Sequence, residues 1–214
     1  MHASWTWALL LLGSYLFGSL PSGLWVGRVT HGVDVRRLGS HRTGATNVQR
    51  SLGTGAGVTV AVLDVGKGLV PVLAVRALTG DPYLAAVAGV VAVVGHVWPV
   101  FAGFDGGRGV STTAGAIAAL APVPFFCCFL VIAAVVLVTR YVSLGSIAAA
   151  SAAGPLIAAW LGHAPQSDAA LIVGLVAGGL VALRHADNVQ RLLRGTERRL
   201  GGGRAARDGT DAAG

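Results

Sequence analysis

Residues 111–138 read STTAGAIAALAPVPFFCCFLVIAAVVLV, and this stretch decides how the chain is folded. It is apolar almost throughout, but Pro122 and Pro124 interrupt it. Proline lacks a backbone N–H and breaks the interior of a helix, so the stretch forms either one long helix or a pair of shorter ones. The choice reverses the direction in which all later helices run.

The composition predicts an integral membrane protein. Of the 214 residues, 54% are hydrophobic and only 12% are charged, and the mean hydropathy is +0.70. This is too apolar for a soluble domain. The net charge is +7, yet the basic residues are scattered between apolar runs, so we expect no nucleic-acid partner. Cys127 and Cys128 are neighbours in an apolar run, where we expect neither a disulfide nor a metal site.

Apolar runs long enough to span a membrane flank the 111–138 stretch on both sides. They cover residues 5–27, 55–78, 82–104, 142–161 and 168–183. If residues 111–138 form two helices, the chain has seven spans with its N-terminus outside, and fourteen of the sixteen basic residues lie on the inner face. One helix would move the Arg-rich tail outside, against the tendency of cytoplasmic loops to be basic. We therefore predict an all-α polytopic membrane helix bundle of about seven transmembrane helices with a cytoplasmic C-terminus.

The first helix of the 111–138 pair would be unusually short. At about twelve residues and 1.5 Å per residue it reaches roughly 18 Å, less than the ~30 Å hydrocarbon core. We expect neighbouring helices to shelter it, or the bilayer to be thin there. Residues 1–200 are predicted to form a single transmembrane domain that ends in a basic surface helix, 184–199, on anionic lipids. Residues 201–214 are small and polar and predict a disordered cytoplasmic tail.

A polar stretch, GSHRTGATNVQR at residues 39–50, lies between the first two spans and predicts an anion-binding loop. Gly39 and Gly44 let the backbone turn so that successive N–H groups form a nest for phosphate. Arg42 and Arg50 add charge, and arginine offers a planar fork that matches phosphate oxygens. The remaining donors are Ser40, Thr43, Thr46 and Asn47. The alternative is an ordinary polar loop whose arginines face lipid headgroups.

The seven-span topology brings four polar segments to one membrane face. They are residues 39–50, 106–112, 141–143 and 184–194. Loops that only meet headgroups need arginine, but they have no need for repeated glycine, hydroxyl, amide and imidazole groups. This combination favours an anionic substrate held between helix ends at the cytoplasmic boundary.

A set of motifs along nearly the whole chain resembles one known family. The motifs are YLFGSLPSGLWVGR, DVRRLGS, GATNVQRSLG, LDVGKG, GHVWPVFAGFDGGRGVSTTAG, TRYVSLGSI and RHADNVQRLLRGTE. Together they resemble the bacterial acylphosphate-dependent glycerol-3-phosphate acyltransferases. The resemblance implies transfer of a fatty acyl group from acyl phosphate to the 1-hydroxyl of sn-glycerol 3-phosphate. The products are lysophosphatidate and phosphate, in the first acylation of phospholipid synthesis.

The resemblance also implies a catalytic set of Ser40, His185 and Asn188, with a substrate-binding set around it. The substrate-binding set is Gly39, Thr46, Asn47, Arg50, Gly106, Gly107, Arg108, Gly109 and Ser143. Arg50 and Arg108 would bind phosphate. His185 would act as general base on the acceptor hydroxyl, unless the acceptor's own phosphate takes the proton. We expect no covalent nucleophile, no cofactor and no metal ion, and a monomer in the cell membrane whose site faces the cytoplasm.

Two motifs depart from the family's pattern. The usual GSGN-x-GATN reads GSHRTGATN here, so His41 and Arg42 replace a glycine and an asparagine. The usual GGKG reads GGRG, so Arg108 replaces a lysine but keeps the charge. Arg42 either points into the site, where it would add a cation near the bound phosphates, or faces the headgroups. We expect the headgroup orientation, because a bulky side chain cannot enter a glycine-shaped turn without moving it and Arg50 already supplies charge.

Charged and polar residues inside the predicted spans have two interpretations. Asp64 and Lys67 are one helical step apart and can pair on one face, either as a structural ion pair or as part of the site. His96 is likewise either a packing residue or a functional one. Two other functions stand as alternatives, a small-anion transporter and a catalytically degenerate membrane partner protein. A transporter needs polar groups through the depth of the bilayer, whereas polarity here concentrates at one face.

Overall fold

The computed structural model describes residues 2–163 and 167–201, and these residues form helices and turns with no strand. The α-helices are α1 (His2–Gly18), α2 (Ser22–His31), α3 (Ala45–Leu52), α4 (Thr54–Thr79), α5 (Pro82–Val97), α6 (Val110–Leu120), α7 (Pro122–Thr139), α8 (Val142–Ala159), α9 (Ser167–Ile172), α10 (Gly178–Leu183) and α11 (Ala186–Leu193). Short 3-10 turns occupy Val35–Arg37 and Val100–Ala102, and a π-helical turn, Val173–Ala177, joins α9 to α10. The predicted all-α class is confirmed.

The 111–138 stretch forms two helices, as the arginine distribution predicts, and the break falls at its prolines. α6 ends at Leu120 and α7 begins at Pro122. Pro122 is thus the first residue of α7, where the backbone N–H that proline lacks would have no partner within the helix. The predicted shelter for the short α6 is also confirmed. It packs so closely on α4 that a Cβ added at Gly115 would lie 2.0 Å from the Val65 carbonyl oxygen.

The first predicted span, residues 5–27, lies within a segment that is long and apolar enough to cross a membrane, Trp5–His31, but its helix is interrupted. α1 ends at Gly18 and α2 begins at Ser22, because Pro21 cannot donate a hydrogen bond inside a helix. At the break, the Lys67 ammonium of α4 donates to the Leu20 carbonyl at 2.7 Å. The span predicted over residues 82–104 is also interrupted, since α5 stops at Val97 before the 3-10 turn.

Within the described residues, five helical segments are long and apolar enough to cross a membrane, and a bent pair makes a sixth. The segments are Trp5–His31, Thr54–Thr79, Pro82–Ala102, Pro122–Thr139 and Val142–Ala159, and the bent pair is Ser167–Leu183 with Ala186–Leu193, which meet at 53°. Val110–Leu120 is apolar but shorter. The chain is therefore a multi-pass helical membrane protein.

The end of the described chain differs from the prediction. The surface helix expected over residues 184–199 is only α11, because the chain turns at Gly195, whose φ is 69°. It then folds back against the bundle, and the Leu200 N–H donates to the Arg140 carbonyl at 2.7 Å. This return buries Glu197, which is 8% exposed. The predicted tail lies outside the described residues except for residue 201.

Candidate active site

The four polar segments that the sequence predicts at one face do meet at one end of the bundle. Side chains from each segment contact residues of another segment or of the returning chain end. The contacts that join them are Arg42–Asp105, Arg108–Asp187, Ser143–Glu197 and Arg50–Arg198. The pairs are 54 to 148 residues apart in sequence, so the site depends on the assembled fold.

Asn47 organises the loop that precedes α3. Its Oδ1 accepts from the Ser40 N–H at 2.8 Å. Its amide nitrogen donates to the carbonyls of Val35, Leu38 and Arg42 at 3.1, 3.1 and 2.8 Å. Asn47 is only 4% exposed, and its amide is used on the loop backbone, so direct contact with a substrate stays a prediction for this residue.

The predicted nest of inward N–H groups differs from the observed loop. The Ser40 N–H is taken by Asn47, and the His41 N–H donates to the Leu38 carbonyl at 3.0 Å. The second half of the 39–50 stretch is a helix, α3, where a loop was predicted. The Ser40 and Thr46 hydroxyls make no hydrogen bond within the described part of the chain, so both are available to a ligand.

Two residues of this loop have left-handed backbone geometry. Gly39 has φ 58°, and a Cβ there would lie 2.3 Å from Asn47 Oδ1, so only glycine fits. His41 also has φ 58°, which explains why a glycine is usual at that position. Histidine is among the side chains that tolerate this region best, and its Nδ1 lies 2.8 Å from the Arg36 carbonyl. The loop therefore keeps a glycine-like path with an exposed imidazole.

Arg50 projects from α3 towards the returning chain end. Its Nη2 donates to the Arg198 carbonyl at 3.1 Å, while its buried Nε has no hydrogen-bond partner within the described residues. Burial lowers the pKa of Arg50, and the neighbouring Glu197 charge partly offsets this. A buried guanidinium with a free donor is suited to an incoming anion.

Arg108 lies in the glycine-rich turn before α6. Its Nη2 contacts Asp187 Oδ2 at 2.7 Å and its Nε donates to the Arg184 carbonyl at 3.3 Å. Burial lowers the pKa of Arg108, and the Asp187 charge acts against that shift. The predicted phosphate ligand is therefore partly buried and held in place by a carboxylate.

The glycines beside Arg108 let the turn lie against the end of α5. A Cβ on Gly107 would come within 2.2 Å of His96 Nε2, and the Gly107 N–H donates to the His96 carbonyl at 3.2 Å. A Cβ on Gly106 would lie 2.1 Å from the His96 carbonyl oxygen. Gly109 has φ 84° and is the residue that precedes α6. The predicted substrate-binding glycines thus position Arg108 through close packing.

Ser143 and Asn188 share one carboxylate. The Ser143 hydroxyl and the Asn188 amide both donate to Glu197 Oε1 at 2.8 Å, and Arg191 Nε donates to its Oε2 at 2.7 Å. Burial raises the pKa of Glu197, but the hydrogen bonds from Arg191, Ser143 and Asn188 outweigh it and lower the pKa overall. Asn188 Oδ1 is buried and has no partner within the described residues.

Two carboxylates of this site, Asp187 and Glu197, were not predicted from the sequence. Asp187 and Glu197 hold Arg108, Arg191, Ser143 and Asn188 in place. The available signal was two acidic residues within the basic segment RHADNVQRLLRGTE. The return of the chain that buries Glu197 could not be foreseen from a helical pattern.

His185 lies between α10 and α11 and is 3% exposed. Its Nδ1 is 2.8 Å from the Val181 carbonyl, so the neutral ring carries its hydrogen on Nδ1 and leaves Nε2 as an acceptor. Burial lowers the pKa of His185, with the Val181 contact opposing and the Arg108 charge adding to the shift. The ring is therefore kept neutral and able to accept a proton.

A second buried polar group consists of Ser22, Asp64, Lys67 and His96, and we call it the closed cluster. Lys67 Nζ lies 2.7 Å from Asp64 Oδ1, 3.1 Å from Ser22 Oγ and 3.4 Å from His96 Nδ1. The Ser22 hydroxyl donates to Asp64. The cluster contains a buried ion pair, joins α2, α4 and α5, and contacts the Gly107 turn through His96. A structural role for it stays a prediction.

An apolar groove lies between the helices beside the polar residues. It encloses about 340 Å³ including open space at its mouth. Its lining comes from α6, α7, α8 and α10: Val110, Thr113, Ala114, Ile117, Cys128, Ile132, Ser146, Ala149, Ala150, Ala153 and Val181. Val110 is two residues after Arg108 and Val181 accepts from His185, so the groove begins at the polar site and extends among the spanning helices.

Comparison with known proteins identifies the family. Residues 8–195 match the sequence model of the glycerol-3-phosphate acyltransferase family. The chain belongs to this family. A glycerol-3-phosphate acyltransferase of Moorella thermoacetica is 47% identical over 91% of this chain and 98% of its own length. One of Deinococcus radiodurans is 45% identical over 90% and 95%.

The fold of this acyltransferase is also shared with a solved relative. The glycerol 3-phosphate form of PlsY (YgiH), an integral membrane glycerol 3-phosphate acyltransferase, superimposes with a TM-score of 0.84 at 38% identity, over 92% of this chain and 96% of that one. The lysophosphatidic acid form of the same protein gives 0.83. The resemblance inferred from the sequence motifs is confirmed, and with it the assignment as a membrane acyltransferase.

Proposed function

We propose that this acyltransferase moves a fatty acyl group from acyl phosphate to the 1-hydroxyl of sn-glycerol 3-phosphate. The observation that supports the proposal most is that partly buried arginines lie beside the end of an apolar groove. Two phosphorylated substrates repel one another, so the site needs several cations and free donors. The acyl chain needs an apolar path, which the groove between α6 and α8 provides.

The phosphate ligands would be Arg50 and Arg108. Arg50 Nε has no hydrogen-bond partner in the part of the chain that the structure describes, and Arg108 can share its guanidinium between Asp187 and a phosphate oxygen. The free Ser40 hydroxyl and the buried Asn188 Oδ1 would orient the substrates. Ser143 would act by holding Glu197, which fixes Asn188 in turn.

In the reaction, the 1-hydroxyl oxygen of the acceptor attacks the carbonyl carbon of the acyl phosphate. An ester C–O bond forms, the C–O bond to phosphate breaks, and phosphate leaves with the electron pair. His185 Nε2 takes the hydroxyl proton as general base and passes it to the departing phosphate. The Val181 contact supports this role because it fixes the ring tautomer.

The site is proposed to face the cytoplasm, in a seven-segment topology with the N-terminus outside. The bent pair and the short α6 would complete the five longer segments, and the arginine distribution favours this orientation. Single cysteines at Arg37 and His163, introduced after Cys127 and Cys128 are replaced by alanine, would test it. Labelling of Arg37→Cys from outside intact cells would contradict the proposal.

The function is tested with the purified protein in detergent or vesicles. Acyl phosphate, acyl-CoA and acyl carrier protein are offered as donors, and lysophosphatidate and phosphate are measured together. We expect equal amounts of both products from acyl phosphate and a far lower kcat/KM for acyl-CoA, since the described residues offer phosphate ligands and no evident adenine pocket. Comparable constants for the two donors would overturn the donor assignment, and no product from any donor would support a degenerate partner protein.

A further inference from the structure

Arg42 stands where the family's pattern has asparagine, and its side chain contacts the other glycine-rich loop. Its Nη1 lies 3.5 Å from Asp105 Oδ1, with 33% of the Arg42 side chain and 49% of the Asp105 side chain exposed. The guanidinium is directed towards the loop that carries Arg108. Arg42 therefore has a protein partner beside the site, which the headgroup orientation does not provide.

Other charges of the site lie within reach of Arg42. Burial lowers the pKa of both Arg108 and Arg184, and the positive charge of Arg42 adds to each shift. Arg184 also lies over the Trp98 ring, 5.6 Å from its centroid. Arg42, Arg108 and Arg184 thus repel one another, and an anion bound beside them would relieve this repulsion.

The ion pair between Arg42 and Asp105 is weaker than the ion pair between Arg36 and Asp34 in the same loop. Arg36 holds Asp34 through two nitrogens at 3.1 and 2.8 Å, and this hydrogen bonding lowers the pKa of Asp34 to about 2. Arg42 has one long contact in an exposed position. Exposed single contacts contribute little, so the Arg42 guanidinium is free to change partner.

The surroundings are suited to such an exchange. The backbone of Arg42 is fixed, because Asn47 donates to its carbonyl at 2.8 Å. Asp105 would keep compensating charges if Arg42 left, since its charge also acts on Arg36 and Arg184. A fixed backbone with a releasable guanidinium reaches an incoming anion at small cost.

We propose that Arg42 is a further substrate-binding residue, whose guanidinium leaves Asp105 to bind the phosphate of the soluble acceptor. Arg42 would give this site a cation that family members with asparagine at this position lack. This inference rests on the proposed function. It concerns the acceptor because the groove that would hold the donor chain is lined by α6, α7, α8 and α10. Arg42 and Asp105 belong to loops outside that set.

The test compares Arg42→Asn, which restores the family's residue, with Arg37→Asn as a matched control. Arg37 is an exposed arginine in the same loop region, so the control removes the same charge. We expect Arg42→Asn to raise KM for glycerol 3-phosphate on the order of five- to tenfold, the loss expected for one exposed charge-assisted contact. KM for acyl phosphate should change less than about twofold, and the control should match wild type.

A double-mutant cycle with Asp105→Asn sharpens the test. Removing the competing carboxylate should lower KM for glycerol 3-phosphate in the wild-type background and leave it unchanged in the Arg42→Asn background. Binding of glycerol 3-phosphate, measured by calorimetry without donor, should follow the same order. Equal KM values for Arg42→Asn and wild type, or equal rises for both substrates, would overturn the proposal for Arg42. Absence of turnover in the wild type would instead count against the proposed function, and binding would still report on Arg42.

Discussion

The closed cluster and the polar site, the group around Arg50, Arg108 and Asn188, both bury charged or polar groups, but they differ in how many of these groups have hydrogen-bond partners. In the closed cluster, Lys67 contacts Asp64, Ser22 and the Leu20 carbonyl at distances of 2.7 to 3.1 Å. In the polar site, Arg50 Nε and Asn188 Oδ1 are buried without a partner within the described residues. A buried polar group without a partner is unfavourable, so the polar site gains most from a ligand. Mutation should therefore affect stability in the first region and activity in the second.

The largest effect is expected from breaking the closed cluster. Asp64→Ala leaves Lys67 buried without its counter-charge, and removal of one member of a buried pair costs about 3–5 kcal/mol. We expect a large fall in the thermal unfolding temperature, with partial recovery in Asp64→Ala/Lys67→Met. Val62→Ala, which shortens a 65% exposed side chain of the same helix, should unfold near the wild-type temperature. An Asp64→Ala protein as stable as wild type would show that the cluster is not structural.

Removing Arg108 should have the reverse profile. A lost charge-assisted contact is worth about 1.5–3 kcal/mol, so kcat/KM for Arg108→Ala should fall by at least tenfold. Stability should change little, because Asp187 keeps Arg191 as a partner at 3.1 Å. Parallel measurement of kcat/KM and unfolding temperature distinguishes the outcomes. Near-wild-type turnover would remove Arg108 from the proposed site.

Gly107 connects the two regions, so a substitution there tests whether they communicate. The new Cβ of Gly107→Ala would lie 2.2 Å from His96 Nε2, and either the turn or the ring must move. Overpacking of this kind costs about 1–3 kcal/mol. We expect a rise in KM for both phosphorylated substrates together with a modest loss of stability. Unchanged KM values at reduced stability would mean that the Arg108 turn tolerates movement of its support.

The smallest expected effect concerns pH. Burial lowers the pKa of His185 below its ordinary value of 6.5, so the neutral base persists to lower pH. The acidic limb of kcat/KM for the acceptor should therefore lie below pH 6.5, with activity lost as His185 takes up a proton. The control replaces glycerol 3-phosphate by its phosphonate analogue, which titrates differently. A limb that moves with the analogue would assign the proton to the acceptor's phosphate.

Several features of the fold could be predicted from local chemistry. Pro122 and Pro124 marked where a break was possible, and the arginine distribution predicted that this stretch is two helices. The position of Arg108 between apolar runs predicted a polar turn before α6. The break after α1 was missed although Pro21 carried the same signal, because its apolar flanks suggested continuity. The predicted bounds of the surface helix, 184–199, were also wrong, because the chain turns back at Gly195.

The sequence by itself determined that this chain is a helical membrane protein of one acyltransferase family, because hydrophobic runs, prolines and motif residues act locally. Only the tertiary structure decided the partners of the polar groups. Asn47 is used by the loop backbone, Glu197 returns to hold Ser143, and Arg42 contacts Asp105. Such pairings join residues far apart in the chain, and several donors of similar chemistry compete for each acceptor. Helix packing selects among them, since a hydrogen bond forms only where distance and direction allow it.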